Sequence, residues 1–272
     1  MNYYSIFNEK NDLEIYCFNN KKVFITSFFN SKTISKDIAE YQKKVFNKFN
    51  ILLNQFDDDI RHPEFMDYIM NNINADIFIF FDIDCILLRK NIINEILLEV
   101  NDNSIFGLAQ CDNSNDLNHI YAAPSCFGIT KNLYNNLSNP SFVERQRYIS
   151  NYNNKIENTK NLISAYGIKD IGYGSEFYNQ SMKIAQRLNL KLICDTAEEI
   201  TYLCEEKGYN INLWYPTNYD KNSNTWRLGN SNILFGNGTI YNNCIYHNFQ
   251  IRKNEESQRF INKCKEILNN LN

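Results

Sequence analysis

Apolar positions along the chain recur with two different periods, and the alternation between them is the first structural signal. Residues 22–29, KVFITSFF, are a short run rich in β-formers. In the following ISKDIAEYQKKVFNKF, residues Ile38, Tyr41, Val45, Phe46 and Phe49 recur at helical spacing. An apolar stretch at 51–56 leads into Asp57, Asp58 and Asp59, and a second helix is predicted to begin near Pro63, with Phe65, Ile69, Met70 and Ile73 on one face. IFIFF at 77–81 is continuously apolar, as expected of a strand covered on both sides. Ile92, Ile93, Ile96, Leu97 and Val100 mark a third helix, and SIFGLAQ at 104–110 another strand. This β-α-β-α-β-α-β order predicts an α/β domain with a largely parallel central sheet flanked by helices.

The second half is less periodic. YAAPSCFGITKNLYNNL (121–137) reads as a loop and strand feeding a helix, and 150–161 is the most linker-like stretch. A helix is expected from about Ser175 to Leu188, then a strand LKLIC and a hairpin-like region through WYPTNYD and FGNGTIYNNCIYHNFQ. Phe260, Ile261, Cys264, Ile267, Leu268 and Leu271 form the apolar face of a final amphipathic helix. Packing of that face on the domain is favoured over weak contact with a membrane surface. With no repeat and no clear break, residues 1–272 read as one domain.

Composition removes several classes. An apolar fraction of 43% with 14% aromatics excludes wholesale disorder. The 46 asparagines are spread along the chain, against 8 Ala, 9 Gly and 4 Pro, which is the mark of an A/T-rich gene rather than of a prion-like tract. A net charge of −3 with dispersed signs gives no nucleic-acid footprint. No stretch approaches 18 apolar residues, and the N-terminus shows no secretory signal. The eight cysteines form no CxxC pair, so they are expected to be free, mostly buried thiols of a reducing compartment, the cytoplasm (a host's, if the source is viral). Asn136-Leu-Ser, Asn179-Gln-Ser and Asn237-Gly-Thr are glycosylation triplets by letter only.

Asp82-Ile83-Asp84 is the sharpest chemical feature. Two carboxylates one residue apart follow a buried strand, at the carboxyl edge of the sheet, where open α/β folds bind their ligands. Acids there need a cationic partner, and Mg²⁺ or Mn²⁺ bridging to substrate phosphates commonly takes one or two protein carboxylates. The plainer alternative is a pair of solvated or salt-bridged loop acids.

The segment HPEFMDYIMNNINADIFIFFDIDCILLRKNI resembles the Asp-x-Asp region of GT-A-fold glycosyltransferases, in which a helix precedes an apolar strand that ends in the acidic motif. YAAPSCFGITKNLY, DIGYGSEFYNQSMKIA and IYHNFQIR follow in the same order as later pieces of that family, so the likeness covers about two-thirds of the chain. The resemblance implies a Rossmann-type fold with a mixed, mostly parallel central sheet. It implies a nucleotide-sugar-binding half at about 20–115, an acceptor-side half at about 116–250 and the helix at 251–272. It implies that Asp84 binds the metal, that Asp82 serves the ribose and the metal shell, and that His247 is a late third ligand. An imidazole in the set favours Mn²⁺ over Mg²⁺. Thr26, Ser27 and Asp57, with Asp58 and Asp59, occupy positions from which the family contacts base or ribose, although helix-start or solvated roles suit two of the three acids better. In an inverting enzyme Asp170 or Glu176, around the loop DIGYGSE, would be the base that deprotonates the acceptor. Gly172 and Gly174 stand out there in a glycine-poor chain, and Tyr173, Trp214 and Trp226 are candidates to stack on sugar rings. His62 and His119 read as structural, with His62 close enough to the acidic run to border a nucleotide pocket.

The implied function is transfer of a sugar from a nucleotide-diphosphate donor, UDP-linked by family habit, to a glycan or glycoprotein acceptor. Two other readings compete. A haloacid-dehalogenase-type phosphatase also places Asp-x-Asp after an apolar strand and would use Asp82 as nucleophile. However, that motif usually opens the fold, and the later Gly-Asp-x-x-x-Asp signature is absent. A non-catalytic sugar- or nucleotide-binding protein on the same fold is the third. A homo-oligomer fits any of them.

Overall fold

The structure is a computed structural model that describes residues 13–111, 120–143, 147–150, 156–157, 190–193, 195–222, 224–229 and 231–270. In chain order the first half comprises β1 (Tyr16–Phe18), β2 (Lys21–Phe29), α1 (Lys36–Lys48), β3 (Asn54–Asp57), α2 (His62–Asn72), β4 (Ile77–Asp82), β5 (Cys85–Leu87), α3 (Ile92–Glu99) and β6 (Ser104–Cys111). Then come β7 (Ile120–Thr130), α4 (Lys131–Asn136), β8 (Arg147–Ser150), β9 (Ile156–Glu157), β10 (Leu190–Ile193), α5 (Glu198–Lys207), β11 (Asn210–Trp214) and β12 (Pro216–Asn218). The last elements are β13 (Thr225–Arg227), β14 (Leu234–Gly236), β15 (Thr239–Tyr241), β16 (Ile245–His247) and α6 (Asn254–Asn269).

Among the described residues the main sheet has seven strands. β2 pairs parallel with β3 on one side and with β4 on the other. β7 runs antiparallel between β4 and β6, and β11 closes the far edge parallel to β6. The expected mixed, mostly parallel α/β sheet is therefore present, with β1 and β7 as its antiparallel members.

Alternation along the central strands explains why they are mostly apolar on both faces. Val23, Ile25, Ile77, Ile79 and Phe81 face one core, shared with Ile38, Val45 and Phe46 of α1, Ile92 and Ile96 of α3, and Phe260 and Cys264 of α6. Phe24, Phe28, Phe78 and Phe80 face the other, with Phe65, Met66 and Ile69 of α2, Leu133 of α4 and Ile200 of α5. Side chains of successive strand residues point to opposite faces, so a strand between two helical layers is apolar on both faces except where a polar group finds a partner, as Thr26 does.

The apolar face of α6 is thus covered by the domain, and Lys48 at the end of α1 donates to the Leu268 carbonyl at 2.7 Å. No described helix is long and apolar enough to cross a membrane. The seven described cysteines are free, and all but Cys17 are buried.

Several features depart from the sequence reading. The linker-like stretch carries β9 and the last residue of β8; the two strands pair antiparallel with each other, and β8 also pairs with β10. α5 and β11 were not foreseen: Tyr202, Thr201 and Glu198 on α5 are buried without a clean apolar stripe. The helix expected over 175–188 lies outside the described residues. Trp214 is buried edge-on against Phe106, with ring centroids 4.9 Å apart, so it presents no free face to a sugar, whereas Trp226 packs on Phe235 and Phe249 and stays partly exposed. Seven of the ten described non-glycine residues at positive φ are asparagines, including Asn50, Asn91, Asn242 and Asn243. Asparagine tolerates the left-handed region better than other L residues, so this glycine-poor chain builds its tight turns with the residue it has in excess.

Candidate metal centre

β2, β3 and β4 are parallel, so the connections that leave their carboxyl ends gather on one edge of the sheet. A cavity of about 760 Å³ opens there, a volume suited to a small-molecule ligand. Phe28, Phe29, Asn30, Thr33 and Ile34 line it from β2 and beyond, Ile60, Arg61 and His62 from the start of α2, and Asp82, Ile83 and Asp84 from the end of β4. Gln250, Ile251, Arg252 and Lys253 close it from the segment after β16.

The chain turns at Ile83 and Asp84 and leaves the main sheet as β5. β5 pairs antiparallel with β16, with Cys85 opposite His247. That register carries His247 some 160 residues back along the sequence to the acidic turn, and the Asn248 N–H donates to the Asp84 carbonyl at 3.0 Å. Asp82, Asp84 and His247 each offer one ligand atom, and these atoms all lie within 4.8 Å of one another. His247 Nε2 is 3.3 Å from Asp84 Oδ1. Both residues are buried, whereas the Asp82 side chain keeps 28% of its exposure, toward the cavity.

Electrostatics at the turn are those of crowded acids. Burial raises the Asp82 carboxyl above its ordinary range; His62 pulls it back, Asp84 pushes it up again, and His247 offsets part of that. Burial works against a charged His247, but the attraction and hydrogen bond of Asp84, helped by Asp82, outweigh it and hold the imidazole above its usual value. Burial also pushes the Cys85 thiol up, which leaves it protonated beside the turn. Two carboxylates and an imidazole, mutually close and mostly desolvated, form a donor set that fits a divalent transition ion, and that ion would relieve the repulsion between the acids.

His62 takes a larger part than the sequence suggested. Its Nδ1 lies 3.3 Å from Asp82 Oδ1, and its ring stacks on Phe28 with planes 2° apart. Such an outer contact orients a ligating carboxylate. His62→Phe keeps the stack and removes the contact, so Mn²⁺ affinity measured by titration calorimetry is expected to fall about tenfold. Unchanged affinity would show that His62 does not orient Asp82.

The remaining predicted residues are distributed differently. Thr26 and Ser27 do not end their strand: β2 continues to Phe29, both are fully buried, and Thr26 Oγ1 donates to the Asn54 carbonyl at 3.0 Å. They lie beneath the cavity, and Phe28, Phe29 and Asn30 take the edge positions expected of them. Asp57 does end β3, but its carboxylate accepts from the Ser31 N–H at 2.9 Å. Asp59 pairs with Lys32 and accepts from Asn30 at 2.7 Å, so these acids brace the loop that lines the cavity. Asp170 and Glu176, with Gly172, Tyr173, Gly174 and His119, lie outside the described residues. Sequence reasoning missed Gln42, a polar residue at a core position of α1 whose amide reaches the backbone of the acidic turn. Its place between Ile38 and Val45 in the helical period was the signal. No family model matches the chain, and no curated protein matches it.

Proposed function

We propose that the protein is a metal-dependent glycosyltransferase of GT-A type that moves a sugar from a nucleotide-diphosphate donor to a glycan or glycoprotein. One observation carries this reading: the late histidine meets the acid pair at the edge of a mostly parallel sheet, and the acid pair lines a cavity that also holds Arg61, Arg252 and Lys253. Asp82, Asp84 and His247 would hold a divalent ion, Mn²⁺ by the imidazole in the set, which when bound neutralises charge on the departing diphosphate as a Lewis acid. Arg252 and Lys253 supply further positive charge for phosphate oxygens, while Arg61 is already paired with Glu64. Phe28, Phe29, Ile34 and Ile251 give the same cavity an apolar wall against which a base can pack. Asp170 and Glu176 are our candidates for the base that takes the acceptor proton. The buried free thiols suit the reducing cytoplasm.

The phosphatase reading is weaker on this geometry. It needs Asp84 free to exchange a proton with a leaving group, yet Asp84 is buried against His247, and two strand–helix units precede the motif.

A thermal-shift and turnover screen of nucleotide sugars and free phosphoesters, with and without Mn²⁺, tests the proposal. The expected result is Mn²⁺-dependent stabilisation by one nucleotide sugar and slow hydrolysis of that donor. Phosphoester hydrolysis alone, abolished by Asp82→Asn in a protein that still binds metal, would instead establish the phosphatase.

A further inference from the structure

Gln42 is completely buried on the core face of α1. Its Nε2 donates to the Asp82 carbonyl at 2.7 Å and to the Cys85 carbonyl at 2.9 Å, the two ends of the turn that carries the acids. Its Oε1 accepts from Gln55 Nε2 on β3 at 2.9 Å, and the same Gln55 nitrogen donates to the Ala39 carbonyl at 2.9 Å. The orientation of the Gln42 amide follows from its neighbours. Both turn groups are carbonyls, which only accept, so the reversed amide would set oxygen against oxygen twice. A core glutamine is costly to desolvate, and a leucine or methionine would fill the same volume without that cost. Here both amide hydrogens and the oxygen are engaged, and the two bonds that Nε2 donates converge on one short turn.

We propose that Gln42 is a positioning residue of the metal centre, braced by Gln55, which sets the separation of the Asp82 and Asp84 carboxylates by holding the backbone on either side of them. The inference rests on reading Asp82, Asp84 and His247 as a metal site. The turn is gripped from both directions: Gln42 holds the carbonyls of Asp82 and Cys85 from α1, and the Asn248 N–H holds that of Asp84 from the strand that brings His247. Ligand carboxylates must be placed to within a fraction of an ångström, and groups anchored on rigid elements achieve this better than a free loop.

The test uses the full chain with Mn²⁺ alone as probe, followed by titration calorimetry and thermal unfolding. Gln42→Met keeps the volume and removes the three hydrogen bonds. Gln42→Glu keeps the shape but turns an acceptor toward the two carbonyls. Gln55→Met removes the support of the Gln42 oxygen together with the Gln55 bond to the Ala39 carbonyl. Met70→Ala, in the core on the opposite face of the sheet, is the reference for lost stability without a change at the turn. Mn²⁺ affinity is expected to fall about 10–100-fold in both Gln42 variants and by less in Gln55→Met, while Met70→Ala binds as wild type does. A Gln42→Met protein that melts earlier but binds Mn²⁺ like wild type overturns the proposal and leaves Gln42 a structural residue. If Gln42→Met does not fold, a folded Gln55→Met with wild-type affinity overturns it equally. Absence of Mn²⁺ binding by the wild-type chain would remove the metal reading and this inference together, a failure distinguishable because it precedes any substitution.

Discussion

Asp84→Asn is expected to abolish Mn²⁺ binding, lowering affinity by more than the 10–100-fold typical of an outer-sphere change. Asp84 is the ligand candidate with least freedom: it is buried, its carbonyl is held by the Asn248 N–H, and its carboxylate faces His247 at 3.3 Å. A ligand present at about 100 times its dissociation constant adds about 2.7 kcal/mol of apparent stability. For a chain of this length that corresponds to a rise in melting temperature of roughly 5–10 °C. The wild-type protein should show that rise with Mn²⁺ and the variant should show none, while near-ultraviolet circular dichroism of the two metal-free proteins stays alike. Retention of the full Mn²⁺-dependent shift by the variant would mean that Asp84 is not a metal ligand. Under the proposed function, loss of turnover is expected to accompany loss of Mn²⁺ binding.

The second large effect lies far from the cavity. Gly107→Ala should destabilise the fold by about 3 kcal/mol, the upper end of what overpacking usually costs. A methyl at 107 would come within 2.5 Å of the Ala122 Cβ and 2.7 Å of its Cα, and backbone cannot swing aside as a side-chain tip does. The close approach arises because β7 carries an irregularity between its pairs with Gly107 and Leu108, which brings Ala122 over the glycine. Alanine is otherwise no worse than glycine in a strand, so intrinsic propensity predicts no loss and only the packing does. Thermal unfolding should show a melting temperature lower by about 10 °C. A melting temperature within error of wild type would show that β7 yields at Ala122.

The elements most legible in the sequence were those whose apolar pattern is dictated locally. β2, β4 and β6 could be read as buried strands because each must be apolar on both faces, and α1, α2 and α3 because only one stripe of each is. Asp82 and Asp84 could be placed at the strand end for the same reason, since polarity begins where β4 leaves the core. The family likeness puts Thr26 and Ser27 at the ligand edge, but both lie inside β2. Small hydroxyl residues are tolerated inside a strand when a carbonyl lies within reach, as the Asn54 carbonyl does for Thr26. α5 escaped because its buried residues include Glu198, Glu199 and Thr201, which hide the helical period. β8 and β9 escaped because short polar strands with weak periodicity read as linker.

By itself the sequence determined the α/β class, the layers that sandwich the sheet, and the point at which two acids emerge from it, because hydrophobic period and burial are coupled residue by residue. Tertiary structure alone decided the rest. The pairing of β5 with β16 sets His247 beside Asp84, and α1 delivers Gln42 to the carbonyls of the acidic turn. Parallel order gathers three loops into one cavity, and a close approach makes Gly107 irreplaceable. Each of these joins residues distant in sequence, through strand registers and side-chain reach that no local pattern encodes.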